Sequence, residues 1–197
     1  MTMNLPNKLT LFRVILIPFF VYFLLAPIYY PTGSFMYLIL PPVMVSLANY
    51  IAAIIFIVAS FTDFLDGYLA RRDGLVTNFG KFMDPLADKL LVCSALICLI
   101  QSGQLPAWVV VIIISREFII SGFRLIASDN GVVIAASYWG KFKTVTQMIM
   151  VIALIINIQH PLFVLFSNIL IWVSVILTVV SLVDYVVKNI DVLKDQK

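Results

Sequence analysis

Apolar runs of transmembrane length recur along the whole chain: Val14 to Tyr30, Phe35 to Thr62, Leu90 to Ser115, Val132 to Ile158 and Pro161 to Val183. A helix needs about 20 apolar residues to cross the hydrocarbon core of a bilayer. The third run is interrupted by Gln101-Ser-Gly-Gln-Leu-Pro106, a turn-rich break whose flanks continue in helical pattern on either side. The pattern therefore predicts an all-α integral membrane protein of one domain, residues 1–197, with six spans at about 9–29, 37–72, 79–101, 105–128, 136–157 and 161–187. A short N-terminal amphipathic entry precedes the first span. At 62% hydrophobic and 12% charged residues, the chain is too apolar for a soluble domain.

Charge placement orients these spans. All 13 Lys and Arg, from Lys8 and Arg13 to Lys194 and Lys197, fall at alternate helix ends. The other ends, near residues 27–36, 101–106 and 157–162, carry no Asp, Glu, Lys or Arg. The positive-inside rule then puts both termini and the charged loops on the cytoplasmic side. The ten acidic residues lie on that side too, so the chemistry belongs at the cytoplasmic face of a multi-pass cell-membrane protein. The net charge of +3 favours contact with anionic lipid. Cys93 and Cys98 are expected to pack as small hydrophobes without a disulfide, and His160 to sit in an outer loop. The first apolar stretch is too long for a cleavable signal peptide and lacks a small-residue cleavage site. The last helix carries little beyond hydrophobicity.

Four aspartates, Asp63, Asp66, Asp84 and Asp88, fall within 26 residues of this apolar chain. Each charge in a transmembrane helix costs roughly 2.5–3.5 kcal/mol, so four would cost about 10 kcal/mol unless neutralised. The string is Asp63-x2-Asp66-Gly67-x2-Ala70-Arg71-x8-Gly80-x3-Asp84-x3-Asp88. On helices its i,i+3 and i,i+4 spacings put each pair on one face, and two such faces meeting would form a four-carboxylate cage for divalent metal. Paired singly with Arg71, Arg72, Lys81 or Lys89, any one aspartate could be an ordinary snorkelled surface charge; four in register argue for a site. Gly67 and Gly80 allow close helix approach and leave room for a ligand.

This string resembles the signature of the CDP-alcohol phosphotransferases, with every fixed residue and spacing present. The resemblance implies a six-helix membrane enzyme, usually a homodimer, that moves a phosphatidyl or related group from a CDP-linked donor to an alcohol and releases CMP. It also implies that Asp63, Asp66 and Asp84 bind two divalent ions with help from Asp88, and that Asp88 is the general base. Mg²⁺ or Mn²⁺ suits the oxygen ligands, whereas zinc does not, because the string holds no His or Cys. Bridging cations make the approach of a diphosphate to carboxylates favourable. Gly67, Ala70, Arg71 and Gly80 then read as the nucleotide side.

The N-terminal segment Leu5-Pro-Asn-Lys-Leu-Thr-Leu-Phe-Arg13 reads as a helix start capped at Pro6 and Asn7, with Lys8 and Arg13 as interfacial anchors. Asn7, Thr10 and Arg13 also share a helical face, which points to the donor. Farther on, Arg116 and Arg124 stand eight residues apart on one helix, both expected to point inward, and Gly140-Lys141-Phe-Lys143-Thr144-x2-Gln147 opens the next helix with two more cations. These are either positive-inside anchors or an anion pocket beside the aspartates. Arg-Glu-x6-Arg followed by Gly-Lys-x-Lys-Thr resembles the family branch that uses glycerol 3-phosphate and forms phosphatidylglycerophosphate. That implies Arg116, Arg124, Lys141 and Lys143 as ligands of the acceptor phosphate. The expected partners are CDP-diacylglycerol, glycerol 3-phosphate, membrane lipid and a second copy of the chain, with no nucleic acid. The alternatives are another acceptor, such as inositol phosphate or serine, and, from a different class, a divalent-cation transporter. Such carriers place their site near the bilayer midplane and often show repeat symmetry, whereas these charges cluster at one face without a visible repeat.

Overall fold

The computed structural model describes residues 4–29, 47–72, 78–129, 131, 134 and 137–190, apart from the side chains of 6, 28, 29, 64, 66–71, 78, 79, 81, 82 and 129. The described residues form six α-helices and no strand: α1 Leu5–Tyr29, α2 Ala48–Arg72, α3 Asn78–Gln101, α4 Ala107–Asp129, α5 Tyr138–Ile156 and α6 Pro161–Asn189. Three are long and apolar enough to cross a bilayer, over Asn7–Pro27, Tyr138–Ile156 and Pro161–Asn189, with mean hydropathies of 2.3, 1.4 and 2.5. The apolar part of α2 is shorter, Ala48–Asp63. The start of the expected second span, before residue 47, lies outside the described residues.

Local chemistry explains the helix ends. Asn4 caps α1: its Oδ1 accepts the Asn7 backbone N–H at 3.1 Å, and its carbonyl accepts from Lys8 N at 3.2 Å. The cap expected at Pro6 and Asn7 is thus one turn too late, and Pro6 occupies the first turn, where no intrahelical N–H is needed. α3 stops in a Schellman motif. Gln104 N donates to Leu99 O at 3.0 Å and Gly103 N to Ile100 O at 2.9 Å, which requires the positive φ of +72° that Gly103 adopts. Pro106 follows, and α4 begins at Ala107. His160, with extended backbone, is the N-cap of α6 and Pro161 its first residue.

Met1–Gln104 with Ile155–Asn157 form one compact unit, and Leu105–Leu154 with Ile158–Lys197 a second. In the first, α2 and α3 pack mainly on α1 and only lightly on each other. The buried face of α1 runs Thr10, Arg13, Ile17, Phe20 and Leu24, a spacing of three and four that keeps one stripe inward. It meets Ala52, Phe56 and Ala59 of α2, with the Phe20 and Phe56 rings 5.7 Å apart. Small alanines let the backbones approach. On α3 the buried series is Gly80, Ala87, Leu91, Ala95 and Cys98. Cys93 and Cys98 are both free thiols, as expected.

In the second unit α4 packs on α6, with Trp108 and Trp172 at 5.9 Å. The inward series on α6 is Ser167, Ile171, Ser174, Thr178, Ser181 and Tyr185. Trp172, Ile176, Val183 and Val187 point outward. A helix with hydroxyls inside and large aliphatics outside is matched to lipid rather than water. This corrects the expectation that the last helix carries only hydrophobicity. Several hydroxyls in the molecule also satisfy themselves on their own helices, as Thr178 does on Ser174 O at 2.6 Å and Ser60 on Phe56 O at 2.8 Å.

Because Ala52 is fully buried and Val183 is exposed, Ala52→Leu should destabilise the first unit by about 1–3 kcal/mol through overpacking. Val183→Leu should be neutral. Thermal unfolding of both variants in one detergent measures the difference.

Candidate active site

The polar end of the α1 stripe reaches the aspartates. Arg13 has no exposed surface, and a buried guanidinium is tolerable only when paired and hydrogen-bonded. Its Nη1 lies 2.8 Å from Asp63 Oδ1 on α2, and its Nε donates to the Ala59 carbonyl at 3.2 Å. One turn earlier Thr10, also fully buried, donates its hydroxyl to Asp84 Oδ1 on α3 at 2.6 Å. A single face of α1 thereby holds one aspartate from each neighbouring helix, and the two carboxylates lie near enough to repel each other. Asp88 is half-buried four residues after Asp84, hence on the same side of α3. Asn7 is buried one turn before Thr10, and Gly80 is buried at the start of α3.

Asp66, Gly67, Ala70 and Arg71 continue α2 beyond Asp63, but their side chains lie outside the described residues. Among the described residues, no three His, Cys, Asp or Glu side chains form a metal-binding group. The donors present still suit a hard cation. Asp63 and Asp84 offer carboxylate oxygens, each with one oxygen engaged by α1, and a carboxylate has two.

The second unit contains a buried cationic cluster. Arg116 on α4 and Lys143 on α5 are both buried, Lys143 to 2% exposure. Both engage one carboxylate: Arg116 Nη1 donates to Glu117 Oε1 at 2.9 Å, and Lys143 Nζ pairs with the same oxygen. Arg116 Nε and Nη2 donate to Ser181 Oγ on α6 at 3.0 and 2.6 Å. A guanidinium has five N–H donors, and these contacts fix its plane while leaving two for a ligand. Two buried cations thus meet on one carboxylate oxygen, which gathers positive charge at this point of the second unit. Gly140 makes room for this arrangement, since a Cβ there would stand 3.2 Å from Arg116 Nη2.

Arg124 and Lys141 behave differently. Both are exposed, with Arg124 5.8 Å from the centre of the Tyr185 ring and Lys141 5.6 Å from that of Tyr138. The expectation that Arg116 and Arg124 both point inward fails for Arg124, because eight residues at 3.6 per turn leave the two about 80° apart around the helix. Ser181, Tyr185 and the linking role of Glu117 were not singled out from the sequence. The spacing of seven, four, three and four among Ser167, Ser174, Thr178, Ser181 and Tyr185 was the available signal. Gln147 Oε1 and the Tyr185 hydroxyl are buried without a hydrogen-bond partner among the described residues. Such atoms commonly face a ligand or water.

Known proteins resemble this chain along nearly its full length. The profile of the CDP-alcohol phosphatidyltransferases matches residues 3–180. A CDP-diacylglycerol–glycerol-3-phosphate 3-phosphatidyltransferase of Bacillus subtilis is 48% identical over 97% of this chain and 97% of its own length. The protein of that name from Haemophilus influenzae is 38% identical over 94% of this chain and 92% of its own length. A probable phosphatidylglycerophosphate synthase of Mycobacterium tuberculosis is 39% identical over 94% and 81%, respectively. The aspartate string, the α1 face that grips it and these full-length likenesses lead to one conclusion: the chain belongs to the CDP-alcohol phosphatidyltransferase family.

Proposed function

We propose that the protein transfers the phosphatidyl group of CDP-diacylglycerol to glycerol 3-phosphate, releasing CMP. The observation that carries the choice of acceptor is the buried cluster in which Arg116 and Lys143 share the single carboxylate of Glu117. An arginine and a lysine gathered in an apolar setting favour an anionic ligand. Serine and free inositol bring no phosphate to meet it. The names of the relatives favour the same acceptor over the cation-carrier alternative.

In this reading Asp63, Asp66, Asp84 and Asp88 hold two divalent ions, Mg²⁺ or Mn²⁺. When bound, such ions supply charge neutralisation for the diphosphate and the departing CMP. Asp88 accepts the proton of the acceptor hydroxyl as its oxygen bonds to the phosphatidyl phosphorus and the bond from that phosphorus to the CMP oxygen breaks. Gly67, Ala70, Arg71 and Gly80 line the cytidine side, and Asn7, at the N-terminal end of the α1 stripe, meets the same donor. Arg116, Arg124, Lys141 and Lys143 bind the acceptor's phosphate, with Arg124 and Lys141 as its exposed members. The protein crosses the membrane six times with both termini and this site on the cytoplasmic side, an orientation supported by the positive-inside charge pattern, and it works as a homodimer.

With purified protein, CMP release from CDP-diacylglycerol should occur with glycerol 3-phosphate and not with serine or inositol. Equal turnover with either would refute the acceptor and leave the family standing. Arg124→Ala should raise KM for glycerol 3-phosphate by roughly tenfold, the scale of a lost hydrogen bond to a charged group, with donor KM little changed. Asp88→Asn should nearly abolish turnover while retaining metal-dependent binding of CDP-diacylglycerol, whereas Asp63→Asn should weaken both. Binding measured with and without Mg²⁺ separates the two roles, and near-parental turnover of Asp88→Asn would remove that residue as the base.

A further inference from the structure

We infer that Thr10 and Arg13 are positioning residues for the metal-binding carboxylates, fixing Asp84 and Asp63 for divalent cations instead of touching the donor. This rests on the metal reading proposed above. Both side chains are fully buried, so neither presents surface to a nucleotide. Each meets one of the aspartates: Thr10 Oγ1 donates to Asp84 Oδ1 at 2.6 Å, and Arg13 Nη1 forms an ion pair with Asp63 Oδ1 at 2.8 Å. Arg13 is itself steadied by the Ala59 carbonyl at 3.2 Å, one turn before Asp63 on α2.

The two contacts differ in charge, and the difference matters. Asp63 and Asp84 repel each other, so a helix that brings them together must restrain both. Arg13 offsets one negative charge. Thr10 orients the other carboxylate without neutralising it, because a hydroxyl donates a hydrogen bond and carries no charge. The pair therefore keeps a net demand for a cation, whereas two arginines would satisfy it within the protein. Groups that hold metal ligands in this way typically change metal affinity by 10–100-fold when removed.

The test is Mn²⁺ titration of the purified full-length chain in nanodiscs, with free Mn²⁺ followed by electron paramagnetic resonance and no liponucleotide present. Thr10→Val, nearly isosteric with Thr, should weaken Mn²⁺ binding about tenfold. Thr10→Ser should bind within about threefold of the parent, because it keeps the hydroxyl. At saturating Mn²⁺ the KM for CDP-diacylglycerol of Thr10→Val should stay within about twofold of the parent, as expected when donor contacts are intact. Arg13→Gln should weaken Mn²⁺ binding in the same direction, and the Thr10 pair decides the question if that variant does not fold. Unchanged Mn²⁺ affinity in Thr10→Val overturns the inference, and a raised donor KM alongside it identifies Thr10 as a donor contact. Asp63→Asn keeps the two readings apart. If it abolishes Mn²⁺ binding while Thr10→Val does not alter it, the metal site stands and only the positioning role falls; if the parent binds no Mn²⁺, both fall.

Discussion

A guanidinium without solvent, Arg13, is the interaction on which the first unit depends. In an apolar surrounding it must find its counter-charge within the chain, and Asp63 on α2 supplies it at 2.8 Å. With Thr10 bonded to Asp84 on α3, the same helix face fixes both neighbours. α2 and α3 touch each other only lightly, so the relation between their aspartates is set through α1. The apolar part of that stripe, Ile17, Phe20 and Leu24, packs the remainder of the helix, and the polar end and the packed end are one continuous surface.

The second unit applies the same rule with the opposite sign. Here Glu117 is the counter-charge, and it answers two cations instead of one. Ser181 adds neutral hydrogen bonds to Arg116, which orient the guanidinium without reducing its charge. α6 contributes its hydroxyls to the interior and gives the lipid side to Trp172, Ile176 and Val183. Such an interface gains from close packing and hydrogen bonds between helices, because aliphatic side chains gain little by leaving lipid for protein.

Much of this was legible in the sequence. Apolar runs bounded by Gly103, Pro106 and Pro161 place the helices, since bilayer thickness and turn chemistry act on local composition. The aspartate string was legible because its spacing is local. The grip of α1 on that string was not: Thr10 and Asp84 stand 74 residues apart, Arg13 and Ala59 46, and no periodicity carries information across such separations. Thr10 and Arg13 were noticed as a face, but what the face meets is a tertiary fact. The polar stripe of α6 was hidden for another reason. Ser and Thr are nearly neutral in hydropathy, so four hydroxyls spread over 15 residues from Ser167 to Ser181 vanish in a helix averaging 2.5. Arg124 was misjudged because two turns and a little more were taken to leave it on a face similar to that of Arg116, whereas the remainder is about 80° and carries it to the surface.

The three-residue step from Thr10 to Arg13 gives α1 the character of a gauge. Both contacts spring from one rigid helix, about 4.5 Å apart along its axis at 1.5 Å per residue, so their separation does not vary with loop conformation. Side chains in this stretch can be exchanged on its outer face, where Leu11 and Phe12 are exposed, without disturbing the spacing. Length is another matter. One residue gained or lost between the two would swing one anchor about 100° around the axis and release one carboxylate while the other stayed held, which makes this turn tolerant of substitution and intolerant of insertion.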